Sequence, residues 1–312
     1  MAALNFIGHN EVRRGFEKSI KSNAPSHAHL IIGPDGIGKS LLAKEWALEI
    51  LGKTENRDYI DIVQYRTEKA SFGVDDIREV IIEVNKKPYE CDKKVIIINQ
   101  GNKLTVQAQN ALLKTIEEPP KGVYIIITCE SGELILDTIK SRCQVHKLTP
   151  LGIKEMDQFI MRDHKDLSPE MKKTVLAFAE GIPGKVDRFL KDETFAEIRN
   201  MAVSLLQDSG SKEASTVLKY EEKLSKLNDK KDEFMSMIIS FVRDVILAKE
   251  LNETRFIINS DKIEEIKKLA NEMSFKKLNA IVDIVLETKR NFDRNTNASI
   301  TFDVMLIKIL EV

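Results

Sequence analysis

Residues 33–40 have the types and spacing of a phosphate-binding loop. Their sequence, GPDGIGKS, fits the pattern G-x-x-x-x-G-K-[ST]. An apolar run at residues 29–32 precedes the loop, and apolar residues at helical spacing follow it, as this motif requires. Glycines let successive backbone N–H groups point at phosphate oxygens, and the N-terminus of the following helix adds positive potential. The sequence therefore predicts that this loop binds a nucleotide.

Two side chains of the loop have predicted roles. Lys39 is expected to reach the β- and γ-phosphates, and the Ser40 hydroxyl is expected to ligate Mg²⁺. The predicted cofactor is ATP or ADP, with Mg²⁺ bound only together with the nucleotide. The residues predicted to bind the nucleotide are Gly33, Asp35, Gly36, Ile37, Gly38, Lys39 and Ser40.

A fully apolar strand predicted at residues 95–98 stands where a P-loop ATPase carries its acidic pair. In such enzymes one acid holds the Mg²⁺ shell and another polarises the attacking water. Here Asn99 and Gln100 follow the strand. An amide cannot take a proton at neutral pH, and losing a positioned base costs about 10²–10⁴-fold in rate. We expect a site that binds nucleotide but hydrolyses it poorly, unless Asp92 or Glu130 supplies the acid.

Composition excludes several classes of protein. The chain has 312 residues and a net charge of −1, so its overall charge does not indicate nucleic-acid binding. The N-terminus lacks signal-peptide features, and no stretch approaches about 18 consecutive apolar residues. The cysteines, Cys91, Cys129 and Cys143, form no C-x-x-C pair, so we expect no structural zinc site. The sequence predicts a cytoplasmic protein that does not contact membranes.

Strands alternate with amphipathic helices over residues 1–148, which predicts an α/β P-loop domain with a parallel sheet. The predicted strands are residues 29–32, 60–63, 95–98, 123–128 and 145–147. The predicted helices are residues 39–51, 74–86 and 106–117. The last of these should end before Pro119 and Pro120, because proline disfavours helical geometry in the preceding residue.

Helical periodicity dominates the rest of the chain. It predicts a small helical lid at residues 149–206, then a polar linker, and an all-α domain at residues 213–312. That last domain carries no chemical motif, so its predicted role is packing or oligomerisation. His27 and His29, close to the P-loop, are interpreted as packing or capping residues rather than catalytic ones.

Several segments are similar to clamp-loader subunits of the AAA+ family. They are residues 7–12 (IGHNEV), 27–40 (HAHLIIGPDGIGKS), 107–120 (QAQNALLKTIEEPP) and 141–143 (SRC). The resemblance covers residues 1–190 and extends more loosely to the C-terminus through the core, lid and helical collar. It is greatest to the delta-prime family of the DNA polymerase III clamp loader. It implies a place in a five-subunit ring, with motor and delta-like subunits as partners and the sliding clamp and primer-template DNA as indirect partners.

The resemblance also assigns roles to single residues. It implies that Arg142 is an arginine finger that acts in trans on the ATP of a neighbouring subunit. Ser141 and Cys143 are expected to set the local backbone, and Thr128 falls where relatives keep a polar sensor residue. Motor subunits carry a lid arginine at a position where this chain has Gly184. The four-cysteine zinc module of many relatives is missing, so no zinc is expected.

These departures indicate a non-motor stator subunit with little or no intrinsic ATPase activity. The alternative is a self-sufficient AAA+ ATPase, such as the clamp-loader motor subunit or a helicase loader. A P-loop kinase is a third interpretation, but nothing in the sequence resembles its second-substrate site. The amides after residues 95–98 are the feature that separates the stator from both kinds of enzyme.

Overall fold

Five parallel strands form one sheet in a computed structural model of the chain, which describes residues 6–22, 25–211, 214–225, 230–251, 256–293 and 298–312. The strands are β1 (Ala28–Ile32), β2 (Ile62–Tyr65), β3 (Lys94–Ile98), β4 (Val123–Cys129) and β5 (Gln144–Lys147). Their order in the sheet is β2-β3-β4-β1-β5. Every neighbouring pair is parallel. The predicted α/β class is therefore confirmed.

Helices precede, separate and follow the strands along the chain. They are α1 (Asn10–Lys21), α2 (Lys39–Ile50), α3 (Val74–Val84), α4 (Val106–Glu117), α5 (Asp137–Lys140) and α6 (Ile153–Asp163). All residues of β3 are buried, as expected for a strand with both faces covered. The hydroxyl of Thr105 caps α4 by accepting the N–H of Ala108 at 3.2 Å. The same helix ends at Glu117, before the two prolines, as predicted.

Strand β2 begins two residues later than the predicted range 60–63. The N–H of Ile62 donates to the carbonyl of Tyr59 at 3.0 Å, so the backbone turns where the strand was expected to begin. The apolar residue Ile60 therefore lies on the surface, with 61% of its area exposed. Because the strand ends correspondingly later, Arg66 directly follows its last residue.

The chain divides into two compact units. One contains the described residues up to Lys165 together with Glu180–Gly184, and the other contains Asp166–Ala179 and the described residues from Lys185 onward. The remaining helices are α7 (Pro169–Ala179), α8 (Pro183–Lys191), α9 (Glu193–Asp208), α10 (Ala214–Ser225), α11 (Lys231–Leu251), α12 (Ile263–Glu272), α13 (Phe275–Asp293) and α14 (Ala298–Glu311). The division into core, lid and collar stays a prediction.

Helix α9 packs against α11 and α14 in the second unit. Its buried Arg199 donates to both carboxylate oxygens of Asp261, at 2.8 and 2.9 Å, and to Asn259 Oδ1 at 3.1 Å. The guanidinium also lies 4.3 Å from the centre of the Phe189 ring. This cluster ties α9 to the segment that leads into α12. Within the described part of the chain, no helix is long and apolar enough to cross a membrane.

Candidate functional site

The P-loop connects the end of β1 to the start of α2, as the sequence predicts. Gly36 and Gly38 have positive φ angles of 78° and 103°. Side chains other than glycine rarely adopt this conformation, so these two positions explain the glycines of the motif. The N–H of Leu42 donates to the carbonyl of Gly38 at 3.0 Å, which makes Gly38 the residue from which α2 begins.

Lys39 lies inside the curve of the loop, with only 9% of its area exposed. Its Nζ donates to the carbonyl oxygens of Gly33 and Pro34, at 2.8 and 2.9 Å. Burial lowers the pKa of Lys39, and the charges of Asp35 and Glu130 partly oppose that shift. The loop thus holds an ammonium group beside the backbone that is predicted to surround the phosphates.

Asn99 joins two of the predicted site residues. Its Oδ1 accepts a hydrogen bond from Ser40 Oγ at 2.9 Å and another from Thr128 Oγ1 at 3.3 Å. Asn99 and Thr128 are both buried, with 8% and 2% of their areas exposed. A neutral amide oxygen, rather than a carboxylate, therefore lies beside the hydroxyl predicted to ligate Mg²⁺.

A cavity of about 180 Å³ opens beside these residues. It is lined by Asp35, Gly36, Gly38, Lys39, Ser40, Leu41, Arg66, Asn99, Gln100, Asn102, Thr128 and Glu130. Gln100 has a left-handed backbone with φ 57°, and its buried Oε1 has no hydrogen-bond partner among the described residues. Of the two acids that could replace the missing pair, only Glu130 lines the cavity. Asp92 precedes β3 and so lies at the other end of that strand.

Sequence reasoning missed Arg66, Leu41 and Asn102 as cavity-lining residues. A signal was available for Arg66, because residues that follow parallel strands meet at the carboxyl edge of the sheet. The prediction that the strand ended at residue 63 placed Arg66 three positions beyond it. The observed end at Tyr65 brings Arg66 to the same edge as Asn99.

Gly184, which the resemblance places at the lid-arginine position, contacts the P-loop directly. The N–H of Gly184 donates to the carbonyl of Gly36 at 2.9 Å. A Cβ atom on Gly184 would lie 2.6 Å from the Cα of Gly36, a distance that real side chains do not tolerate. In this arrangement position 184 cannot carry an arginine, or any side chain.

Arg142 follows α5 and precedes the edge strand β5. Its Nε forms an ion pair with Glu117, and its Nη1 donates to the carbonyl of Thr138 at 2.9 Å and to Ser141 Oγ at 3.3 Å. The side chain remains 38% exposed. Sequence reasoning missed Glu117 as its partner, because the contact joins the ends of two elements 25 residues apart. Cys143 packs against the core of the sheet, and burial raises the pKa of its thiol to about 12.

Neither histidine near the P-loop lines the cavity. His27 Nε2 lies 2.9 Å from the carbonyl oxygen of Ile116, and the buried His29 pairs with His146 at 3.1 Å. In the described part of the chain, no group of three or more histidine, cysteine or acidic side chains could hold a metal ion. The absence of zinc stays a prediction.

Two family profiles match the chain. The profile described as DNA polymerase III, delta subunit, matches residues 8–152, and a second profile, for the C-terminal region of the delta subunit, matches residues 195–310. This chain belongs to the DNA polymerase III delta-subunit family of clamp-loader proteins. The resemblance inferred from the motifs is therefore confirmed.

Three known proteins illustrate the relationships of this family member. It is 25% identical to DNA polymerase III subunit delta' of Bacillus subtilis, over 94% of the chain and 93% of that protein. It is also 25% identical to subunit tau of the same organism, over 98% of the chain but only 61% of tau. The gamma subunit-related protein of Thermotoga maritima superimposes with a TM-score of 0.50 at 17% identity, over 96% of this chain and 98% of that one. The last comparison supports the fold alone.

Proposed function

We propose that this chain is a non-motor stator subunit of a replicative clamp loader. The observation that carries the proposal is the amide at the catalytic position, where Asn99 Oδ1 accepts from the hydroxyls of Ser40 and Thr128. A side-chain amide cannot act as a base at neutral pH. The lid adds no arginine, because Gly184 packs directly on the P-loop. The chain therefore contributes little or no ATP hydrolysis of its own.

The chemical contribution of the chain is Arg142, supplied in trans to the ATP site of an adjacent motor subunit. The partly exposed guanidinium has the planar fork that binds phosphate oxygens in pairs, which lysine lacks. Arginine fingers accelerate phosphoryl transfer by about 10³–10⁵-fold where they have been measured. Its ion pair with Glu117 is half-exposed on both sides, and such pairs are worth only about 0–1 kcal/mol. Breaking this ion pair so that Arg142 can reach a neighbouring subunit therefore costs little free energy.

The P-loop of the chain is proposed to bind ATP or ADP. Lys39 and the positive-φ glycines fit a phosphate group, because the loop already presents an ammonium beside curved backbone. The cavity of about 180 Å³ is smaller than the roughly 300–1,000 Å³ of whole-ligand pockets, so it suits the phosphates rather than the base and sugar. Ser40 is the one proposed protein ligand for Mg²⁺, which would supply charge to the phosphates when nucleotide is bound.

The proposed partners are motor and delta-like clamp-loader subunits and, through them, the sliding clamp and primer-template DNA. The proposed division of labour assigns nucleotide binding to residues 1–148, a lid to residues 149–206 and ring assembly to residues 213–312. A cytoplasmic location without membrane contact goes with this role. Support comes from the two delta-subunit profiles, which together match both ends of the chain.

A reconstituted loader tests the proposal. Arg142→Ala should assemble normally, with unchanged thermal stability, because a surface side chain usually contributes within about 0.5 kcal/mol. The clamp- and DNA-stimulated ATPase should then lose the share of one site, and Arg142→Lys should restore it poorly. Arg57→Ala, another exposed arginine of the same unit, is the matched control and should load clamps normally. Loading at the wild-type rate by Arg142→Ala would remove the chemical basis of the proposal.

The alternative, a self-sufficient AAA+ ATPase, is not separated by sequence identity, because delta' and tau of Bacillus subtilis are equally similar at 25%. Turnover by the isolated chain separates the two functions. If the chain is a stator, the isolated protein should show no ATPase activity above background. Steady-state hydrolysis of about one per second, at the low end for enzymes, would support the alternative if Lys39→Ala abolished it.

A further inference from the structure

Arg66 and Lys39 line the same cavity but follow strands at different positions in the sheet. In the order β2-β3-β4-β1, the strand that carries Arg66 is three positions away from the strand that carries the P-loop. Neighbouring strands lie about 4.8 Å apart, so the two strand ends are separated by about 14 Å. Arg66 must therefore reach back across the end of β3 to line the cavity. Strand β2, which precedes Arg66, is one position farther from the P-loop strand than β3, which precedes Asn99.

Among the described residues, the structure shows no ion pair for this guanidinium. Arg66 is exposed and forms no side-chain hydrogen bond or ion pair with any of them. By contrast, Arg142 and Arg199 are both fixed by carboxylates. Holding an unpaired arginine at the mouth of a polar cavity contributes nothing evident to the fold. It does supply a fork of N–H donors suited to phosphate oxygens.

The cavity is lined by two cations and also by the carboxylates of Asp35 and Glu130. Lys39 and Arg66 are its only cationic lining residues among those described, and the amides of Asn99 and Gln100 provide no carboxylate to hold Mg²⁺ firmly. The lid cannot supply an arginine, because the backbone of Gly184 is packed on the P-loop. The terminal phosphate of a triphosphate carries the most charge and lies farthest from the helix that holds the inner phosphates.

We propose that Arg66 binds the terminal phosphate of a nucleoside triphosphate in this cavity and makes the site selective for triphosphate over diphosphate. This inference rests on the proposed nucleotide site. Arg66, which follows β2, would supply the positive charge at the terminal phosphate that position 184 of the lid does not supply. Diphosphate binding depends on Lys39 and the loop backbone and does not involve Arg66.

Nucleotide binding by the full-length chain tests this assignment with fluorescent ATP and ADP analogues. Arg66→Ala should weaken ATP binding at least about tenfold, the usual effect of losing hydrogen bonds to a charged group. ADP binding should stay within about twofold, because the lost contact involves only the terminal phosphate. Arg66→Lys should recover part of the ATP affinity, since it keeps the charge without the fork.

Controls separate a loss of the Arg66 contact from a loss of the whole nucleotide site or of the fold. Arg78→Ala removes an exposed arginine of α3 that does not line the cavity, and it should bind both nucleotides like the wild type. Equal weakening of ATP and ADP by Arg66→Ala, or no weakening, overturns the role of Arg66 while leaving the nucleotide site intact. Failure of the wild-type chain to bind either nucleotide overturns both the site and this inference. Thermal unfolding of each variant confirms that the fold is unchanged.

Discussion

Two buried histidines should make the stability of this protein sensitive to acid. His29 Nδ1 lies 3.1 Å from His146 Nε2, and both rings pack against Trp46. Burial lowers the pKa of His29 to about 3, and the neighbouring His146 adds to the shift. Burial also lowers the pKa of His146 to about 4. Both rings are therefore neutral in the folded protein at pH 5.

The magnitude follows from the difference between the folded and unfolded states. In the unfolded chain both histidines have a pKa near 6.5, so below that pH the unfolded state binds two protons that the folded state does not. Their stabilising contribution is complete above the unfolded pKa and decreases as the pH falls toward the folded values. Between pH 7.5 and pH 5.0 each histidine should remove about 2 kcal/mol from the free energy of unfolding, and the pair about 4 kcal/mol.

Glu49 changes stability in the opposite direction. Burial raises its pKa to about 7, and the nearby carboxylates of Glu45 and Glu17 add to the shift. Folding therefore favours the protonated form of Glu49, and its contribution grows as the pH falls through that range. The absolute pH dependence combines these groups. Comparing the wild type with a histidine variant at two pH values isolates the contribution of the two histidines to the free energy of unfolding.

The assay is urea unfolding at pH 7.5 and pH 5.0, followed by the fluorescence of Trp46, the one tryptophan of the chain. On acidification the wild type should lose about 4 kcal/mol more than the double variant His29→Gln with His146→Gln, which cannot titrate. Equal losses in the wild type and the double variant would refute the assignment.

Three further predictions concern the lid, the second unit and the amide pair. Gly184→Ala places a Cβ 2.6 Å from the P-loop backbone, so it should lower the unfolding temperature and weaken nucleotide binding, as calorimetry can measure. Arg199→Ala removes the hydrogen bonds to the carboxylate of Asp261 and to the buried Asn259 Oδ1 and should cost about 1.5–3 kcal/mol in urea unfolding; a cost below about 1 kcal/mol would contradict it. Asn99→Asp with Gln100→Glu should make nucleotide binding Mg²⁺-dependent but leave turnover at background, because the lid supplies no arginine; measurable turnover would contradict this.

The sequence predicted the parts of the site that depend on local geometry. The P-loop was predicted correctly in position because Gly36 and Gly38 adopt positive φ angles that other residues avoid. Helix α4 ends where predicted because Pro119 constrains the residue before it. Strand β2 was misplaced by two residues, because an apolar residue at position 60 looks like part of a strand. A hydrogen bond between Ile62 and Tyr59 turns the backbone there instead.

Contacts between distant segments had no local signal. Nothing near Gly184 in the sequence shows that its backbone packs against the P-loop almost 150 residues earlier. The pairing of Arg142 with Glu117 likewise depends on where two helices end in space.

The sequence by itself indicated the family, and it predicted a phosphate-binding loop at residues 33–40 and amides in place of an acidic pair at residues 99 and 100, because each signal depends on residue types at fixed short spacing. Only the tertiary structure decided what surrounds them. The sheet order brings Asn99, Thr128 and Arg66 to one edge from three different strands. It also buries His29 against His146, where loss of water shifts both pKa values downward. Charge, burial and proximity depend on the packing of residues far apart in the chain, and so they appear only once the chain is folded.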